Sequence, residues 1–203
     1  MPINNKYLVP QKTVCCEQEI KKSKFITTIG RAADIDDARK FIKDISSKYK
    51  DASHNCYAFI AGGPGSPDIG MGDDGEVSGT AGKPMLNVLQ HKDIGEIVAV
   101  VTRYYGGVKL GPGGLVRAYT SSLQQALDEL ELREFIEIKK AVIEVDFQNE
   151  NAVRQVLSKA GLEAGDAEYT DSVKFHLEIP VDLYDKLIED MGNQTRGKFK
   201  ITV

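Results

Sequence analysis

Lys139-Lys140-Ala141-Val142-Ile143-Glu144-Val145-Asp146-Phe147 alternates along its length, with Ile143, Val145 and Phe147 on one side and Glu144 and Asp146 on the other. A period of two reads as a half-buried β-strand. Downstream, Asn149–Ala160 gathers Val153, Val156, Leu157 and Ala160 on one helical face and stops at Gly161. A short strand follows around Glu163–Tyr169. Val173–Ile179 then alternates again, with Val173, Phe175, Leu177 and Ile179 facing one way. After Pro180 a helix groups Leu183, Leu187, Ile188 and Met191, and Gly192-Asn193 is expected to end it. Lys198–Val203 closes the chain as a strand. The order βαββαβ predicts a ferredoxin-like plait. Its outward sheet positions, Glu144, Asp146, Lys174, His176, Glu178, Lys198, Lys200 and Thr202, include no aromatic residue. Base stacking on that sheet is therefore disfavoured.

Upstream of the plait the pattern is mixed. Thr13–Ile20, Lys24–Arg31 and His54–Ala61 read as strands, and Ile97–Val101 is an uninterrupted apolar run expected of a strand covered on both faces. Asp34 can cap a helix whose stripe is Ile35, Ala38, Phe41, Ile42, Ile45 and Tyr49. Leu115–Leu132 reads as a long amphipathic helix with Tyr119, Leu123, Ala126, Leu127 and Leu130 inward. The fold class is α+β in two domains, residues 1–135 and 136–203, with the join near Arg133–Ile138.

Composition narrows the setting. The chain has 203 residues, no apolar run of membrane-spanning length and an N-terminus without a signal-peptide core, so a cytoplasmic protein with no membrane partner is expected. Three cysteines, Cys15, Cys16 and Cys56, form no metal or redox motif. The net charge of −4 hides an asymmetry. Residues 1–133 carry 17 Lys and Arg against 16 Asp and Glu, whereas residues 134–203 carry 9 against 14. A polyanion would thus meet the first domain, through a local patch.

Fourteen of the 19 glycines fall between Gly62 and Gly114. Glycine weakens regular elements and is most useful where backbone turns or approaches a ligand closely, so this stretch is the candidate functional surface. Its first segment is Asp73-Asp74-Gly75-Glu76-Val77-Ser78-Gly79-Thr80-Ala81-Gly82-Lys83-Pro84. The formal GxGxxG at Gly70–Gly75 follows no strand pattern and holds two aspartates that would repel a pyrophosphate, so a dinucleotide site is rejected. Gly82-Lys83 lacks the rest of a P-loop, since Val77 and Pro84 stand where glycine and a hydroxyl are required. Asp73, Asp74 and Glu76 could hold Mg²⁺ or act as acid and base; the plainer reading is that they cap turns and a helix near Gly82–Met85.

The second segment runs Val100-Val101-Thr102-Arg103-Tyr104-Tyr105-Gly106-Gly107-Val108-Lys109-Leu110-Gly111-Pro112-Gly113-Gly114-Leu115-Val116-Arg117-Ala118-Tyr119. It passes from a buried strand through a glycine-dense loop into a helix, whose free N–H groups favour an anion. Arg103, Lys109 and Arg117 lie close by in sequence. A tight strand-to-helix crossover with solvated charges is the competing reading. His54, His91 and His176 are scattered and no Gly-x-Ser-x-Gly elbow occurs, so nucleophilic catalysis is not expected; His54, beside the glycine loop, is the nearest to an exception.

These segments resemble the signature of the YigZ/IMPACT family, in its bacterial YigZ-type two-domain form. The shared pattern comprises Asp73-Asp74-Gly75-Glu76, Ser78–Pro84, Val101–Tyr104, Gly106-Gly107, Lys109–Gly111 and Gly113–Tyr119, with Lys21–Phe25 and His54–Ala58 matching earlier motifs. Val77 departs from it, standing where the family commonly has proline. The resemblance implies a ribosomal-protein-S5-domain-2-like first domain, and a pairing with the plait similar to the last two domains of elongation factor G. Eukaryotic IMPACT regulates translation by competing for a kinase activator, in a differently built protein whose mechanism does not transfer. The expected function is nucleic-acid or ribosome-associated binding linked to translation or its regulation, without a catalytic reaction or cofactor. The expected partners are RNA, DNA or the ribosome, with a protein partner as a further option. The expected contacts are Lys22, Lys24, Lys83, Arg103, Lys109, Arg117, Gly106, Gly107, Gly113 and Gly114, beside a signature loop of Asp73, Asp74, Gly75, Glu76, Gly79, Thr80 and Gly82. The alternative is an Mg-dependent enzyme acting on a small phosphorylated or anionic substrate, with Asp73, Asp74 and Glu76 on the metal.

Overall fold

The structure, a computed structural model, describes residues 6–165 and 167–203. In chain order the elements are β1 (Lys6–Pro10), β2 (Val14–Ile20), β3 (Ser23–Arg31), α1 (Ile35–Lys48), β4 (His54–Ile60), β5 (Ile69–Gly72), α2 (Gly82–Gln90), β6 (Ile97–Tyr104), α3 (Pro112–Asp128) and β7 (Leu132–Ile136). They continue with β8 (Ile138–Val145), α4 (Glu150–Lys159), β9 (Ala167–Tyr169), β10 (Val173–Pro180), α5 (Val181–Thr195) and β11 (Lys200–Thr202). The chain forms two compact units, which meet in sequence at Phe135 and Ile136.

The first unit is built on an antiparallel sheet of order β2-β3-β6-β4-β5. Helices cover both faces. Alternate residues of β6 explain how: Ile97, Ala99 and Val101 join Met85, Leu89, Tyr119 and Leu123 of α2 and α3, while Val98 packs with Ala38 of α1 and Phe59. That two-sided cover is why the strand reads as a continuous apolar run. Full burial of side chains such as Phe25, Leu123 and Ile97 contributes about 1.5–3 kcal/mol each. The cap on α1 forms as expected, with Asp34 Oδ1 accepting from the Asp37 amide at 2.8 Å. Such a cap contributes about 1 kcal/mol.

In the second unit the sheet order is β11-β8-β10-β9, with antiparallel registers. Ala141, Ile143 and Val145 of β8 face Val153, Val156 and Leu157 of α4 and Leu187 and Met191 of α5, which completes the βαββαβ plait.

Several local expectations change. Phe147 lies beyond the end of β8 and is 55% exposed, because Asp146 turns the chain by accepting the Asn149 amide. Helix α5 runs through Gly192-Asn193 to Thr195 and stops where Arg196 adopts φ +55°. Helix α3 starts at Pro112, and Leu132 belongs to β7, the partner of β1.

Candidate functional site

The connection from β5 to α2 is held by its own acids. Asp73 Oδ2 accepts from the Gly79 amide at 2.7 Å, and Oδ1 accepts from Gly82 and Ala81 at 2.8 and 3.1 Å. Burial pushes this carboxyl upward, but the three amide donors outweigh it and hold it below the usual carboxylate range. Asp74, at φ +44°, takes the Asn55 amide on Oδ2 at 2.6 Å. Its carbonyl accepts from His54 Nδ1 at 2.9 Å, so that nitrogen carries the proton.

Glu76 points inward. Its Oε2 meets Arg103 Nη1 at 2.5 Å and accepts from the Tyr119 hydroxyl at 3.0 Å, while His54 Nε2 stands 3.8 Å away. The Glu76 and Arg103 side chains are each 5% exposed. Ring faces of Phe25 and Tyr105 flank the guanidinium, and Ser23 Oγ lies 3.4 Å from Nη2. The Cys56 thiol completes the cluster, within reach of the Asp73 carbonyl at 3.0 Å and Tyr119 at 3.3 Å. Burial, with the carboxylates of Glu76, Asp73 and Asp74 nearby, pushes this thiol up to about 12. Burial likewise raises the Tyr119 hydroxyl, so both groups stay neutral. One polar network therefore ties the signature loop to β4, β6 and α3.

Above it lie the glycines of the second segment. A Cβ on Gly106 would sit 1.7 Å from the Lys22 carbonyl oxygen, so only glycine lets the β6–α3 loop rest on the β2–β3 turn. That turn is itself tight, with Lys21 and Lys22 at positive φ. Gly111, at φ +74°, starts α3 with no side-chain cap and no acid in the first turn. Lys22, Lys83, Lys109 and Arg117 are exposed, as are Gly107 and Gly113. Lys24 is exposed too, but Glu17 lies 2.7 Å from its ammonium.

One expectation needs correction and one alternative loses its support, while Asp73 caps the turn and the start of α2 as the plainer reading has it. Arg103 is a 4%-exposed strut rather than a surface cation, because β6 keeps both faces covered through Thr102 and Arg103. Asp73, Asp74 and Glu76 do not converge. Among the described residues no three His, Cys, Asp or Glu side chains gather to hold a metal, and each of these acids is engaged by backbone amides or by Arg103. Tyr119, Cys56 and Ser23 carry no functional motif of their own in the sequence. Tyr119 falls on the inward face of its helix, and a phenol at a core position is a signal that a buried hydroxyl needs a partner.

No helix among the described residues is long and apolar enough to cross a membrane. Residues 21–127 match the Impact N-terminal domain, and residues 143–198 match a family described as a domain of unknown function. An IMPACT family member of Haemophilus influenzae is 39% identical over 96% of this chain and 95% of its own length. IMPACT family member YigZ of Escherichia coli is 33% identical, covering 96% of each. A crystal structure described as that of a hypothetical protein aligns with TM-score 0.70 at 32% identity, over 98% of this chain and 97% of the other. With its first domain matched, and relatives alike across both units, the chain belongs to the IMPACT family.

Proposed function

We propose that the first unit binds RNA, free or on the ribosome, and serves translation or its regulation without carrying out a reaction. The observation that carries this reading is the division of charge around the glycine loops. The carboxylates of the signature loop are engaged within the protein, Asp73 and Asp74 by backbone amides and Glu76 by buried Arg103, whereas Lys22, Lys83, Lys109 and Arg117 stay exposed and the start of α3 carries no acid. Free amides and cations are what a phosphodiester backbone needs, and their contacts are indifferent to base sequence. The translation link known for eukaryotic IMPACT points in the same direction. The succession of domain types, which the family resemblance likens to the closing pair of elongation factor G, is a further support.

With Arg103 withdrawn, about three to four phosphates are neutralised, so log affinity for single-stranded RNA against log salt slopes near −2 to −3. Lys109→Ala lowers affinity for all sequences alike and flattens that slope by just under one. Filter binding to oligouridylate and to a mixed-sequence oligonucleotide across a salt series measures both. A salt-independent affinity, or no binding to RNA or ribosomes at low salt, refutes the proposal.

A further inference from the structure

A groove of about 450 Å³ runs between α2 and α3 on the first unit. Its floor is half-buried apolar surface from Pro84, Val88 and Val116. Asn87, His91 and Lys92 edge it from the α2 side, and Thr120 and Gln124 from α3. Pro84 to His91 spans about 10 Å and Val116 to Gln124 about 12 Å at helical rise.

Its charge is one-sided. Helix α2 carries no Asp or Glu, and α3 carries none before its last residue, Asp128, which accepts from Gln124 Nε2 at 2.6 Å. Asp93, just past α2, borders a different and smaller cavity beside Ile60 and Ile94. Cations flank the groove: Lys92 lines it, and exposed Lys83 and Arg117 adjoin Pro84 and Val116 in sequence. In a chain with 30 acids and 26 bases, two adjacent helices share a single carboxylate, at the far end of α3.

We propose that this groove receives an acidic amphipathic helix of about two to three turns from a protein partner. An apolar floor between two helices suits the apolar stripe of a third, and the acid-free rims suit carboxylates on either side of that stripe. Nucleic acid fits the groove poorly, because no Phe, Tyr or Trp side chain lines it and His91 is the one ring there that could stack a base. The chain's own acidic helix is not the occupant: α5 commits Leu187 and Met191 to the core of the second unit.

The probe is a fluorescein-labelled peptide of about eighteen residues, with leucines at i, i+4, i+7 and i+11, glutamates at the positions bordering that stripe and alanine or glutamine elsewhere to favour the helix. Its control has lysine for every glutamate. Anisotropy titrations on the full chain are expected to give at least about tenfold tighter binding of the glutamate peptide than of the lysine peptide. Amide shift changes are expected to concentrate on residues 83–92 and 113–124. Lys92→Glu and Thr120→Glu, with unchanged circular dichroism, each weaken the glutamate peptide several-fold. Equal binding of both peptides, or shift changes centred elsewhere, overturns the inference. Lys22→Glu and Lys109→Glu reduce RNA binding and leave peptide binding intact, so the two proposals fail separately.

Discussion

Replacing Arg103 with alanine leaves the Glu76 carboxylate buried with the Tyr119 hydroxyl and a long 3.4 Å bond from the Val77 amide to satisfy it, and His54 beyond hydrogen-bond range. Both side chains of the pair are 5% exposed, so neither charge recovers water without moving the loop. Breaking one half of such a buried pair costs about 3–5 kcal/mol, mostly from the stranded charge. For a unit of this size that lowers the melting temperature by roughly 10–20 °C. Differential scanning calorimetry is the assay, and only the transition of the unit spanning Tyr7–Phe135 should move. The double variant Glu76→Gln with Arg103→Met removes both charges, and should lose less than the sum of the single losses. If Arg103→Ala melts within a few degrees of the native protein yet abolishes RNA binding, Arg103 is a ligand contact and the strut assignment is wrong.

Asp73 yields a pH prediction. Its carboxyl is depressed in the folded state, so its contribution is complete above the ordinary aspartate range and is lost as pH falls through the lower folded value. Asp73→Asn should destabilise the protein at neutral pH and shrink its acid-induced loss of stability, read by urea titrations at pH 7 and pH 3. Cys56 titrates in the other direction: its thiol is raised to about 12, so stability falls as pH climbs from the ordinary thiol value near 9 towards 12. At pH 8 a thiol reagent should modify exposed Cys15 quickly and Cys56 only on unfolding. Gly106→Ala should destabilise more than Gly107→Ala, since the first drives a methyl into the Lys22 carbonyl and the second costs about 1 kcal/mol of backbone strain. Urea midpoints of the two variants decide the order.

Elements with one dominant period were readable from the chain. The alternations of β8 and β10 and the Asp34 cap of α1 depend on neighbours a few positions away. Strands β1, β5 and β7 went unread because they are short, and β5, Ile69-Gly70-Met71-Gly72, looks like loop until β4 pairs with it. The signature loop was located by its glycines, but the roles of its acids were not fixed. Arg103 reads as a surface cation in the sequence because its partner, Glu76, lies 27 positions away and only the folded sheet brings them together. No local rule separates a cation that faces solvent from one that closes a core; the covered strand on which Arg103 sits was the available hint.

Dense glycine is commonly equated with slackness, and the Asp73 carboxylate argues the opposite for this chain. By gripping the amides of Gly79, Ala81 and Gly82, it fastens both ends of a loop whose composition alone suggests free movement. Deuterium should therefore enter those three positions slowly, at rates nearer to those of a sheet interior than of an open coil. A taut rim keeps its outer surface in one shape before any partner arrives, which lessens the ordering that association would otherwise require.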